Sequence, residues 1–172
     1  NMAHDRTWLR KAALNLAARR VGYREFDVDS AFEVFFIARN AVEPFADVRP
    51  TLERLARRYT LASLSNGNAD LRLIGLHDVF AFSLNAIDVG AAKPEPLMFE
   101  LARQRLAAQP EQIVHVGDDP EHDVFGATQA GFRTVWVNRT HREWPGGPRA
   151  EAEIGHLAEL ESVLTMWESA AP

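Results

Sequence analysis

Val114-His115-Val116-Gly117-Asp118-Asp119-Pro120-Glu121-His122-Asp123 reads as a short β-prone run, a glycine, two adjacent carboxylates, and a proline suited to the first turn of a helix. Asp119 is placed to cap the helix that Pro120 starts, but a cap accounts for one acid only. Asp118, Asp119 and Asp123 gathered at a strand end would repel one another unless a cation sat among them. Hard oxygen ligands of this kind suit Mg²⁺, which takes few carboxylates and completes its shell with water and substrate phosphate. The stretch therefore predicts a strand ending in a metal loop that handles phosphate.

Outward from it, strand-like runs at 59–64, 81–86, 112–116 and 133–137 alternate with helical stretches near 69–75, 95–107 and 120–130. Such alternation implies right-handed crossovers, an α/β fold with a parallel sheet, and ligands bound beyond the carboxyl ends of the strands. Two more loops fall at those ends. Leu64-Ser65-Asn66-Gly67-Asn68 offers a hydroxyl and turn amides that can converge on a phosphate oxygen. Ala92-Lys93-Pro94-Glu95-Pro96 carries one of only two lysines, Lys11 and Lys93, while arginine supplies all the rest of the 19 cationic residues. A lysine on a proline-braced loop of so arginine-rich a chain suggests a compact ammonium aimed at a confined anion.

The first forty residues read as helical. Trp8, Leu9, Ala12, Ala13, Leu16 and Ala17 recur at helical spacing after Asp5, a candidate N-cap. A second helix is expected after Ser30, whose partner Glu33 completes a capping box before Phe35, Phe36 and Ile37. Val48, Leu52, Leu55 and Ala56 mark a third. Residues 139–149 read as loop, and a last helix runs from about His156 to Trp167.

A length of 172 residues suits one globular domain with a small appendage, and the absence of cysteine removes disulfide and thiolate chemistry. The longest apolar stretch, Val34 to Ala38, is far short of the roughly 18 residues a membrane helix needs. The first residues lack the apolar core of a signal peptide, so a cytoplasmic setting and no membrane partner are expected. A net charge of −5 argues against nucleic acid as a partner. Arg6, Arg10, Lys11, Arg19 and Arg20 on the first helix read as a solvated face. None of the six histidines shows metal-ligand spacing.

Taken in order, Ser65-Asn66-Gly67, Lys93-Pro94 and Gly117-Asp118-Asp119 with Asp123 resemble the haloacid dehalogenase-like superfamily over nearly the whole chain. The wording Leu-Ser-Asn-Gly-Asn and the His-Val-Gly-Asp-Asp block look most like its flavin-mononucleotide and nucleotide phosphatases. The resemblance implies a Rossmann-like parallel sheet flanked by helices at 44–172, with 1–43 as part of a helical cap. It implies that Ser65, Asn66, Gly67 and Lys93 bind phosphate, with Ser65 and Lys93 acting in catalysis. Asp118 would ligate Mg²⁺, Asp123 would be the second acid of the metal loop, and Asp119 falls where the family varies. The implied reaction is magnesium-dependent hydrolysis of a small phosphorylated metabolite through an aspartyl-phosphate.

One part of the family pattern is missing. The nucleophile should lie in an Asp-x-Asp at the end of a central strand that precedes the cap, and no such strand is present. Asp27-Val28-Asp29 has the spelling, but Gly22 to Phe26 is too polar for a buried parallel strand, and Ser30 with Glu33 already reads as a helix start. The resemblance puts the absent strand between those ending at Ser65 and Gly117. Its loss would bury unpaired backbone groups at a cost of about 1–3 kcal/mol each. The parent protein is thus expected to carry about 10–60 further N-terminal residues, and this chain alone to be inactive. The alternatives are a metal-free haloacid dehalogenase, against which three carboxylates would repel a carboxylate substrate, and a split or non-catalytic binding protein.

Overall fold

A computed structural model describes residues 4–170. The chain opens with a helical pair, α1 (Arg6–Arg20) and α2 (Val28–Asn40). Asp5 caps α1 by accepting the Trp8 amide at 2.8 Å. The second helix starts earlier than the sequence reading placed it. Asp27, extended at φ −75° and ψ 92°, accepts the amides of Asp29 and Ser30, and the Ser30 hydroxyl donates to the same carboxylate at 2.7 Å. An ionised carboxylate is a stronger acceptor than a hydroxyl, so Asp27 takes the cap and Ser30 serves it. Asp29 pairs with Lys11 at 2.7 Å and ties α2 to α1. Both acids of Asp27-Val28-Asp29 are therefore engaged in holding helices.

The remainder alternates strand and helix. It comprises α3 (Val48–Leu55), β1 (Ala62–Ser65), α4 (Leu71–Ile74), β2 (Phe82–Asn85), α5 (Ala86–Val89) and α6 (Pro96–Leu106). There follow β3 (Val114–Gly117), α7 (Gly126–Gln129), β4 (Arg133–Val137), β5 (Ala152–Ile154) and α8 (Leu160–Ser169). Every strand pair is parallel. Val135 and Trp136 of β4 are buried, and Val135 packs with Leu55, Ile154 and Leu160. Met98 of α6 packs on Leu84 of β2, while Phe99 packs on Ala127 and Phe132. Strand β5 has no counterpart in the sequence reading, because three residues with a glutamate in the middle carry no strand signal by themselves.

Two local differences bear on the site. The helix expected over 120–130 is split into a wide π-helical turn, Pro120–Phe125, and α7. In that turn the Val124 amide reaches back to the Asp119 carbonyl. The widened turn folds Asp123 back over the end of β3. The strands also form two sheets, β1-β2 and β3-β4-β5, with no ladder between β1 and β3. A cavity of about 1100 Å³ separates them, its walls including Ala62, Leu64, Val114 and Val116. The inner strands β1 and β3, each without a ladder on the cleft side, are half-buried. Their free backbone groups border this cleft, where water can reach them, and are not sealed in a core as the sequence argument supposed.

Gly126 sets the distance between α7 and the Lys93 loop. A Cβ there would meet the Phe99 ring at 2.7 Å and the Pro94 Cα at 3.0 Å. Gly126→Ala is expected to lower stability by about 1–3 kcal/mol through overpacking. Urea unfolding measures it, and an unchanged midpoint would contradict this account of the packing.

Candidate active site

Three loops meet at the carboxyl ends of β1, β2 and β3, and Lys93 joins them. Its ammonium donates to the Leu64 carbonyl of β1 at 2.8 Å and to Asp123 Oδ1 at 2.6 Å. Both side chains of this pair are nearly buried, at 10% and 8% exposure. The backbone of Lys93 is clamped by the Asn66 side chain, which donates to its carbonyl and accepts from its amide. Asn66 therefore ties two loops together through its side chain. The Ser65 hydroxyl oxygen accepts the Gly67 amide at 2.9 Å, leaving its own O–H to donate outward.

Asp123 is held on all sides. Oδ1 also meets His115 Nε2 at 3.1 Å, and Oδ2 accepts the Asp119 amide at 3.1 Å. Only a glycine fits beneath it, because a Cβ on Gly117 would overlap the Asp123 side chain. Burial pushes the Asp123 carboxyl up, but the His115 hydrogen bond and the Lys93 charge outweigh burial, so its pKa lies well below the usual carboxylate range. Phe99 braces the histidine edge to face, with ring centroids 5.3 Å apart.

The other two acids differ in role. Asp119 caps the turn at Pro120, accepting the amides of Glu121 and His122. Asp118 is exposed. Its carbonyl is fixed by the Trp136 indole at 3.1 Å and by Arg142 at 2.9 Å, and among the described residues its carboxylate has no partner. No group of three or more His, Asp or Glu side chains among the described residues is arranged to hold a metal ion. The donor set fits an ion that takes Asp118 from this chain and other oxygens from water and substrate, which is within the habit of Mg²⁺.

Sequence reasoning missed two contributions. His115 and Gly117 lie two residues apart and so share a strand face, the face on which Asp123 packs; strand parity carried that signal. Arg6 and Arg10, read as a solvated face, instead reach the Ser65 loop: Arg6 Nε donates to the Asn66 carbonyl at 3.2 Å and Arg10 Nη1 to Asn68 Oδ1 at 2.9 Å.

Removing one member of the buried pair strands the other charge, so Lys93→Met or Asp123→Asn should each cost about 3–5 kcal/mol, and the double variant Lys93→Met/Asp123→Asn less than their sum. Additive losses in urea unfolding would contradict the pairing. The depressed Asp123 pKa stabilises the fold fully above the unfolded value of about 4, and that contribution is lost as pH falls toward the folded value. Wild type should therefore lose stability more steeply than Asp123→Asn from about pH 4 downward; parallel stability curves would contradict it.

Among the described residues, no helix is long and apolar enough to cross a membrane. Residues 2–131 match the family of haloacid dehalogenase-like hydrolases. The chain is 34% identical over 130 residues to the 5-amino-6-(5-phospho-D-ribitylamino)uracil phosphatase YigB of Escherichia coli, covering 73% of this chain and 55% of that protein. It is 32% identical over 130 residues to (S)-2-haloacid dehalogenase 2 of a Pseudomonas species, covering 72% of this chain and 56% of that one. A solved 2-haloacid dehalogenase from Pseudomonas syringae superposes with a TM-score of 0.88 at 40% identity, over 96% of this chain and 74% of that one. The chain thus spans about half the length of these curated relatives. It belongs to the haloacid dehalogenase-like hydrolases.

Proposed function

We propose that this chain is the phosphate-binding part of a magnesium-dependent hydrolase that cleaves the phosphomonoester of a small phosphorylated metabolite. The Lys93 ammonium carries the reading. An ammonium has three N–H donors, and two are engaged, one by Leu64 and one by Asp123. The third is free to meet a phosphoryl oxygen beside the outward Ser65 O–H, at the mouth of the cleft between β1 and β3. The phosphatase among the relatives supports the same reading.

In this reading an aspartate on a further strand lies between β1 and β3, in a segment outside this sequence. It attacks phosphorus in line, breaking the bond to the ester oxygen, which takes a proton and leaves as the alcohol; water then cleaves the aspartyl-phosphate to the free carboxylate and inorganic phosphate, so one difficult displacement is divided into two easier ones. Lys93 and Ser65 hold the phosphoryl oxygens and offset charge that grows on them. Mg²⁺, held by Asp118 when bound, would supply further neutralisation of that charge. The 172-residue chain by itself would bind phosphate without turning it over.

One observation favours a second reading, halide removal from a small haloacid without metal. Asp119 and Asp123 are both engaged in hydrogen bonds, so the three free carboxylates expected to repel a carboxylate substrate reduce to Asp118. The protein extended by the residues encoded upstream of Asn1 decides between them. Release of phosphate from an aryl phosphate, abolished by chelator and reduced at least about a hundredfold by Asp118→Asn, is expected. Chelator-insensitive chloride release from a chloro acid would overturn the phosphatase in favour of the dehalogenase, and neither activity would leave a non-catalytic binding protein.

A further inference from the structure

Arg6, Arg10 and Arg39 converge on the Ser65-Asn66-Gly67-Asn68 turn from the helical pair. Arg6 and Arg10 bond its Asn66 carbonyl and Asn68 side chain. A Cβ on Gly67 would lie 3.2 Å from Arg39 Nη2 and equally 3.2 Å from Ser65 Oγ, so the third guanidinium borders the same turn. Among the described residues none of the three has a carboxylate partner, although Arg49, Arg54, Arg58, Arg103, Arg133 and Arg139 each have one. Arg39 Nε is buried without any hydrogen-bond partner. Burial, followed by the charges of Arg39 and Arg6, lowers the Arg10 pKa, as expected where like charges crowd without a counter-ion.

Three guanidinia without carboxylate partners around one turn leave positive charge there that an anion can offset. The phosphoryl group is already provided for by the Lys93 ammonium and the Ser65 hydroxyl. The Asn66 side chain grips the Lys93 backbone, while the Asn66 carbonyl faces Arg6. We propose that Arg6, Arg10 and Arg39 form a second anion site, which selects substrates bearing a further carboxylate or phosphate besides the phosphoryl group that is transferred. This rests on the phosphatase reading for the first group and adds the class of the leaving group. Guanidinium forks suit both anions, since each presents paired oxygens to two N–H donors. Phe35 under Arg10, 4.8 Å from ring centroid to guanidinium carbon, and the Thr7–Asn68 hydrogen bond hold the site in shape before a ligand arrives.

Calorimetric titration tests the site without requiring turnover. The chain is titrated with inorganic phosphate, glycerol phosphate, phosphoglycerate, which replaces one hydroxymethyl by a carboxylate, and a propanediol bisphosphate. Wild type should bind phosphoglycerate or the bisphosphate at least about tenfold more tightly than glycerol phosphate, and the better of the two identifies the second group. Arg6→Gln/Arg10→Gln should abolish that preference and leave inorganic phosphate affinity within about twofold. Should the double variant not fold, Arg6→Gln, at an exposed side chain, should still reduce the preference severalfold. No preference in wild type, or one that survives these substitutions, overturns the proposal. Loss of inorganic phosphate binding in Lys93→Met but not in the arginine variants separates the two sites. If wild type binds no inorganic phosphate yet binds a chloro acid through the arginines, the anion site stands and the phosphatase reading fails.

Discussion

The bridge made by one ammonium holds the active end of this molecule together. No ladder joins β1 to β3, so the two sheets meet at their carboxyl ends through Lys93, which bonds the last turn of β1 at Leu64 and the carboxylate that folds back from beyond β3. Several otherwise unrelated features serve this contact. Gly117 leaves room for Asp123, the π-helical turn swings Asp123 into place, and Gly126 lets α7 approach the loop that carries Lys93. His115 and the Asp119 amide occupy the remaining acceptor positions of the carboxylate.

Such a pair is a poor way to gain stability alone, because desolvating two charges offsets most of their attraction. Its value lies in position. The ammonium is fixed with one donor uncommitted, beside a serine whose hydroxyl hydrogen is also uncommitted, at the end of a cleft between strands. In the proposed reaction, preorganised donors of this kind lower the cost of charge that develops on the phosphoryl oxygens, since nothing has to move when it appears. The helical pair reaches the same turn by polar contacts from Arg6, Thr7 and Arg10, and reaches the start of α4 through Asn40, which accepts the Asp70 amide. Its own apolar residues, among them Leu16, Val34 and Ile37, remain largely exposed. In the proposed reading, contacts of that sort let the helices meet the part of a substrate that projects away from the phosphoryl group.

What the sequence showed and what it hid follow from the range of the signals. Alternating strand and helix, the Asp5 cap and the three loops were legible because each is a local pattern with a local cause. The three acids after Gly117 were legible as a group, but their division of labour was not. Asp119 as cap, Asp123 as the lysine's partner and Asp118 as the free carboxylate depend on how wide the turn after Pro120 becomes. Arg39 gave no signal, since nothing in its neighbourhood along the chain announces that it will border Gly67. The three-residue β5 is strand only because β4 lies beside it. The gap between the sheets was inferred from a missing motif, and the structure shows a cleft at that place while leaving the flanking strands half-buried.

The proposed active site depends on that cleft being the seat of a strand. Amide hydrogen exchange on the 172-residue chain and on the chain extended upstream of Asn1 tests it directly. The amides of Ala62–Ser65 and Val114–Gly117 that bond neither β2 nor β4 should exchange rapidly in the shorter chain and become protected by orders of magnitude in the longer one, where a ladder forms on both sides. Equal protection in both chains would mean that no strand enters between β1 and β3, and the proposed placement of the nucleophile would be wrong.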